Sequence, residues 1–148
     1  WEDKNFLENG QEEHARRFAF LPSDDRNLKI LETVNENLRF WASLQGNTAG
    51  CAQALKHVGL ESLRNTFVRR LSAGQRRRLS LARILLGGQS LWLLDEPFNG
   101  LDAASIVLFR QALDAHVRDG GMAVIASHLA IEPPAAGALR RIEIGAPA

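Results

Sequence analysis

Apolar residues along this chain follow two rhythms, one suited to helices and one to buried strands. Phe18 to Leu21 is a short apolar, aromatic run stopped by Pro22, which predicts a strand. Ser23-Asp24-Asp25-Arg26-Asn27 reads as a polar loop. Thr33 with Glu36 three residues on makes a capping-box pattern, and Val34, Leu38, Trp41 and Leu44 then recur at helical spacing until Gly46. Residues 49–58 predict a second helix, with Ala52, Leu55 and Val58 on one face and Gly59 as its stop. Residues 60–70 read as a connector.

Residues 74–86 predict a basic helix ended by Gly87-Gly88, with Leu79, Ala82 and Leu86 on its apolar line and arginines at 76, 77, 78 and 83. Residues 91–94 are continuously apolar, as in a strand buried on both faces of a parallel sheet. Ala103–Arg118 predicts a helix aligning Ile106, Phe109, Leu113 and Val117, closed by Gly120-Gly121. Met122–Ala126 predicts another buried strand, with Ser127-His128 at its carboxyl end. Pro133-Pro134 break the chain before a short final strand over 139–144. Residues 1–15 are polar and turn-rich, and no internal repeat is present. Strand, helix, strand in this order implies an α/β fold with a mostly parallel sheet and right-handed crossovers.

Composition narrows the class. At 148 residues, 45% hydrophobic and 24% charged, the chain has the make-up of one ordinary globular domain. A net charge of +1 gives no global attraction to nucleic acid or an anionic membrane. The single cysteine, Cys51, cannot form an internal disulfide or a cysteine metal cluster. No apolar run approaches the roughly 20 residues of a membrane span. The chain opens on Trp1, with no signal-peptide pattern, and its only methionine is Met122. That opening reads as a piece missing its front.

The candidate chemistry lies between Leu71 and His128. Asp95 ends an apolar strand, so its carboxylate emerges at the carboxyl edge of the sheet, where open α/β sheets bind ligands. A lone carboxylate there suits Mg²⁺, which also takes phosphate oxygens. Glu96 follows directly, placed to orient or deprotonate water; read alone, Asp-Glu after a strand is only a polar loop start. Ser72-Ala73-Gly74-Gln75 precedes a helix whose N-terminus offers oriented N–H groups to an anion, though an ordinary N-cap has the same pattern. Spacing adds specificity, since Asp95 lies 23 positions after Ser72, one helix and one strand away. Asp102 can cap the next helix. His128 ends the next strand, beside Asp95 and Glu96 on the same edge. The Arg76-Arg77-Arg78 run reads as a solvated face rather than a nucleic-acid site.

Taken together these motifs resemble those of ABC-type ATPases. Leu71-Ser72-Ala73-Gly74-Gln75 resembles the signature LSGGQ, with Ala73 for the usual first glycine. Leu91-Trp92-Leu93-Leu94-Asp95-Glu96 is similar to Walker B with its catalytic glutamate, Asn99-Gly100-Leu101-Asp102 to the D-loop, and Ser127-His128 to the switch histidine. Within that family, LSAGQRRR, LWLLDEPFNGLD and ENLRFW (residues 36–41) look most like the ATPase subunits of cytochrome c biogenesis haem exporters. The fold implied is a P-loop NTPase-like ABC nucleotide-binding domain, incomplete at its N-terminus. Residues 32–70 would form its helical subdomain, and residues 71–148 would carry signature, Walker B, D-loop and switch histidine.

The resemblance further implies two domains paired head to tail, each signature turn (Ser72, Ala73, Gly74, Gln75) serving the partner's ATP. Asp95 would hold Mg²⁺ through water, Glu96 would act as general base, His128 would sense the γ-phosphate, and Asp102 would tie the two sites together. The partners implied are a second ABC ATPase domain, as in a homodimer, and integral membrane permease subunits of a cytochrome c maturation exporter. The place implied is peripheral, on the cytoplasmic face of the inner membrane. Two departures stand out. No G-x-x-x-x-G-K-[ST] occurs in these residues, and none of the three lysines follows a glycine. The family's Q-loop glutamine should fall near residues 23–25, where Asp24 or Asp25 stands instead as a candidate metal ligand. Transport of another cargo, or a non-catalytic module acting only through protein interaction, are the competing readings. Lacking neighbouring strands, the chain by itself should also leave apolar sheet surface exposed.

Overall fold

The computed structural model describes residues 18–46, 48–128, 137, 140 and 142. The turn-rich start, the Pro133-Pro134 break and, apart from Arg140 and Ile142, the final strand expected over 139–144 lie outside the described residues. Three strands of the described residues form one parallel sheet in the order β1 (Phe18–Leu21), β2 (Leu91–Asp95), β3 (Met122–Ala126). The register sets Phe18 opposite Leu91 and Leu91 opposite Met122, and it holds to Asp95 opposite Ala126. Two bonds extend the ladder past the strand ends, Met122 N–H to the Ser90 carbonyl at 2.7 Å and Glu96 N–H to the Ala126 carbonyl at 2.8 Å.

Among the described residues four helices accompany the sheet: α1 (Val34–Gln45), α2 (Cys51–His57), α3 (Ala73–Leu85) and α4 (Ala103–Arg118). Local chemistry sets their ends. Thr33 and Glu36 complete the expected capping box, and Gly46 ends α1 in the left-handed region at φ 72°. The connector folds as two 3₁₀ turns and lies antiparallel to the chain before α1. Val34 N–H bonds the Thr66 carbonyl there, and Val68 N–H bonds that of Glu32. Helices α1 and α2 pack on α3, while α3 and α4 pack on the sheet. Trp92 of β2 stacks on Phe109 of α4 and on His116, with centroids 6.5 and 4.0 Å apart.

Several expected faces shift. In α1 the buried line is Val34, Asn37, Leu38 and Ala42, and Leu44 is exposed. Leu44 lies ten residues beyond Val34, which turns it about 80° away at 3.6 residues per turn. The second helix begins two residues late, after a 3₁₀ turn over Thr48–Gly50. It buries Cys51, Ala54, Leu55 and Val58, with Ala52 outside. The sheet is not buried on both faces. Ala19, Trp92 and Leu94 face the helices, whereas Phe20, Met122 and Val124 on the other face are 49%, 50% and 61% exposed. Among the described residues only one face is covered, so the expected open apolar surface is present.

Nor is the arginine run a solvated face. Arg77 and Arg83 are buried, because α3 is enclosed by α1 and α2 on one side and by β1 and α4 on others. Arg83 donates to the Phe20 carbonyl and lies 4.4 Å over the Trp41 ring, and burial pushes its pKa down to about 10.

Asn37 is the buried polar residue the pattern gave no reason to expect. Its amide accepts from Lys29 N–H at 2.8 Å and donates to the carbonyls of Lys29 (2.9 Å) and Thr33 (3.1 Å). It therefore ties the 28–33 segment to the first turn of α1. Asn37→Ala leaves buried backbone groups unpaired and should destabilise the fold by about 1–3 kcal/mol, read as a lower urea midpoint at unchanged m-value.

Candidate functional site

The carboxyl edge of the sheet gathers the charged residues. Asp95 is the last residue of β2 and half-buried. Glu96 leaves the strand at φ 45°, the only non-glycine residue with positive φ among the described residues. A non-glycine side chain at positive φ is strained, so something must hold it. Its N–H is fixed to Ala126 of β3, and its carbonyl accepts from Asn99 N–H at 3.2 Å and from the Arg77 guanidinium at 2.7 Å.

That backbone turn swings the Glu96 carboxylate towards β3. There it accepts from the His128 N–H at 3.0 Å and the Ser127 hydroxyl at 3.3 Å, and it stands 2.9 Å from His128 Nδ1. The His128 side-chain bond is the largest cause holding the Glu96 carboxyl below the usual carboxylate range; partial burial works the other way. The structure thus brings together two residues 32 apart in sequence, as strand order β2-β3 requires.

At the start of α3, Ser72 is the N-cap and Gln75 completes a reciprocal box. Gln75 N–H bonds Ser72 Oγ at 3.2 Å, and Ser72 N–H bonds Gln75 Oε1 at 2.9 Å. Both side chains are engaged with each other, and Ala73 opens the helix. Gly74 has a packing reason to be glycine: a Cβ there would stand 2.9 Å from the Gly100 carbonyl oxygen. The Ser-x-Gly-Gln turn and the 99–102 loop therefore touch within one chain. Asp102 caps α4, accepting from Ser105 N–H at 2.8 Å. Its carboxyl is held low by its bonds to Ser105, with a smaller contribution from Arg78.

Asp24 and Asp25 already hold arginines. Asp24 pairs with Arg26, and Asp25 accepts from Arg76 Nε at 2.9 Å. Among the described residues no three acidic, histidine or cysteine groups converge to cage a metal.

Arg77 is the site residue that the sequence reading missed. It donates to the carbonyls of Pro22 (2.6 Å), Asp95 (3.0 Å) and Glu96 (2.7 Å). Its position carried a signal. Arg77 lies three residues before Ser80, four before Leu81 and seven before Ile84, on the inward line of α3.

A parallel sheet whose central strand ends in Asp-Glu, a capped Ser-x-Gly-Gln turn one helix upstream, and a histidine from the next strand define an ABC ATP-binding domain. The ABC transporter family profile matches residues 1–99, and the chain belongs to that family. Among solved structures, an ATP-binding subunit of an ABC transporter aligns with TM-score 0.74 at 25% identity, over 83% of this chain and 53% of that one. A dimeric ATP-binding cassette bound to ADP and Pi shares the fold, with TM-score 0.67 at 23% identity, over 79% of this chain and 54% of that one.

Among curated relatives, the chain is similar to the cytochrome c biogenesis ATP-binding export proteins CcmA. Identity is 47% over 102 residues to that of Cereibacter sphaeroides, covering 69% of this chain and 48% of the relative. It is 48% over 109 residues to that of Paracoccus denitrificans, covering 74% and 51%. It is 44% over 130 residues to that of Paramagnetospirillum magneticum, covering 84% and 59%. The chain spans about half the length of the curated relatives it matches.

The Glu96–His128 pair has a pH signature. A carboxyl depressed in the folded state adds stability above its unfolded pKa, and that stability is lost as pH falls through the folded value. His128→Ala removes the largest cause of the depression. The Glu96 carboxyl, followed by ¹³C NMR, should then titrate closer to the ordinary value of 4.5, and acid unfolding should begin at higher pH. An unchanged titration would show that the His128 contact does not hold the carboxylate in solution.

Proposed function

We propose that this chain is the signature-to-Walker-B part of an ATPase that drives export in cytochrome c biogenesis, by haem-linked transport. The observation that carries the reading is the Glu96–His128 pair at the strand edge, one helix away from the signature turn. The names of the relatives support the export role.

In this reading the residues divide the work. Glu96, held below the usual carboxylate range, is ionised at neutral pH, and a low pKa makes it a weak proton acceptor. Its contribution is to accept a hydrogen bond from the attacking water and aim it, as general base only once bond formation has acidified that water. His128, already against Glu96, contacts the γ-phosphate side. Asp95 is the carboxylate for Mg²⁺ and is compatible with it as a single ligand, since that ion keeps waters and phosphate oxygens around it. Asp24 or Asp25 would join only by releasing its arginine. Bound Mg²⁺ would neutralise phosphate charge.

The signature turn serves the nucleotide of a second ABC domain. Ser72 and Gln75 hold each other, so the first helix amides, those of Ala73 and Gly74, are the groups offered to a phosphate oxygen. Asp102 and the 99–102 loop lie at the same junction and link the paired sites. Residues 32–70 act as the helical subdomain towards membrane permease subunits, which places the protein peripherally at the cytoplasmic face of the inner membrane. No helix among the described residues is long and apolar enough to cross a membrane.

Glu96→Gln tests the assignment in the intact ATPase expressed from its own gene. Phosphate release should fall about 10²–10⁴-fold, the scale of a lost acid–base group, while binding of a fluorescent ATP analogue stays within a few-fold. Turnover retained in that variant would remove Glu96 from the chemistry and sink the reading.

A further inference from the structure

The three consecutive arginines of α3 go to three different places. Arg76 pairs with Asp25 and with the Leu71 carbonyl, and Arg78 reaches the Val58 carbonyl at 3.3 Å. Arg77, only 4% exposed, turns inward. Among the described residues its guanidinium bonds no carboxylate, and its Nε has no partner. It grips carbonyl oxygens from two segments far apart in sequence, Pro22 on one side and Asp95 and Glu96 on the other. Burial pushes its pKa down, and the nearby carboxylates of Asp25, Asp95, Asp24 and Glu96 offset only part of that. An apolar residue would fill the same space without any desolvation penalty, so the planar fork of donors is what the position uses.

What it grips is informative. The Glu96 carbonyl belongs to the one non-glycine residue held at positive φ, and that backbone turn is what carries the Glu96 carboxylate to Ser127 and His128. We propose that Arg77 is a positioning residue of the hydrolytic site. It clamps the 95–96 peptide in its left-handed turn and joins it, together with the end of β1 at Pro22, to the helix that begins at the signature turn. This inference rests on Glu96 being the group that aims the water.

The test uses the intact ATPase expressed from its own gene, with Arg77→Met, Arg77→Gln and Arg77→Lys beside Glu96→Gln. Arg77→Met should lower kcat about 10- to 100-fold, the scale of a misplaced reacting group, with KM for ATP within about twofold. Arg77→Lys keeps the charge but not the fork. It should recover only part of kcat, although its melting temperature returns to that of the parent. Amide resonances of Glu96, Ser127 and His128 should shift in every folded variant. If Arg77→Met does not fold, the Gln and Lys variants decide by the same split of kcat from KM. Unchanged kcat in a folded variant overturns the proposal, as does a loss of kcat that follows melting temperature alone. The control separates two failures. Full turnover in Glu96→Gln removes the underlying reading, whereas an inactive Glu96→Gln beside fully active Arg77 variants removes only the role of Arg77.

Discussion

The site depends on β2 being the middle strand of a parallel sheet. A parallel neighbour on each side fixes where β2 ends relative to β1 and β3, because a ladder with matched register allows no independent sliding. Residues distant in sequence thereby meet at one edge: Pro22 after β1, Asp95 and Glu96 after β2, Ser127 and His128 after β3. The Glu96 N–H bond to Ala126 carries the pairing one residue beyond the strand, so the Glu96 carboxylate hangs from the sheet itself rather than from a loop. A slip of one residue would send every side chain of β2 to the opposite face and lift Trp92 off Phe109.

Helix α3 supplies the second constraint. Its first turn is polar and capped, while its middle is enclosed and still carries Arg77 and Arg83. Both guanidiniums bond backbone carbonyls of the sheet edge and the segments beside it through their terminal nitrogens, Arg83 on Phe20 and Arg77 on Pro22, Asp95 and Glu96, while the buried Arg77 Nε has no partner among the described residues. Carbonyl oxygens at strand ends have lost their ladder partners, and buried cations need acceptors. Each deficiency answers the other. The helix is consequently bonded to the sheet edge and not merely packed against it.

How much of this could be read from the residues depends on range. Caps were legible, because Thr33 with Glu36 and Ser72 are local patterns that the structure repeats as helix starts. Strand cores were legible from uninterrupted apolar runs, and parallel order from the intervening helices. The meeting of Glu96 with His128 followed from that order, since consecutive strands end at one edge. Whether a charged residue faces in was not legible by type alone. Arg77 lies on the inward line of α3, but arginines so often face solvent that composition argued against its burial. Asn37 hid for a similar reason, its partners being backbone groups that leave no mark in the pattern. The burial of β2 on both faces was read from apolar content, yet content fixes only what a face can tolerate, and coverage depends on which elements pack there.

The contact between Gly74 and Gly100 joins these threads. The signature turn, which the resemblance assigns to a partner's nucleotide, and the 99–102 loop, which it assigns to tying the two sites together, touch through bare backbone, where even a methyl group would meet a carbonyl oxygen at 2.9 Å. From that contact α3 runs into the sheet edge and is bonded there by Arg77, while the 99–102 loop returns to Glu96 through the Asn99 N–H bond. Glu96 is therefore held at its carbonyl by both routes, one through a rigid helix and one through the four-residue turn 96–99. Neither route contains a flexible side chain between the signature turn and the Glu96 peptide except the fork of Arg77. Close-packed backbone leaves little slack along either path, so the Arg77 fork and the Asn99 bond are the joints through which the helix start bears on the Glu96 carbonyl.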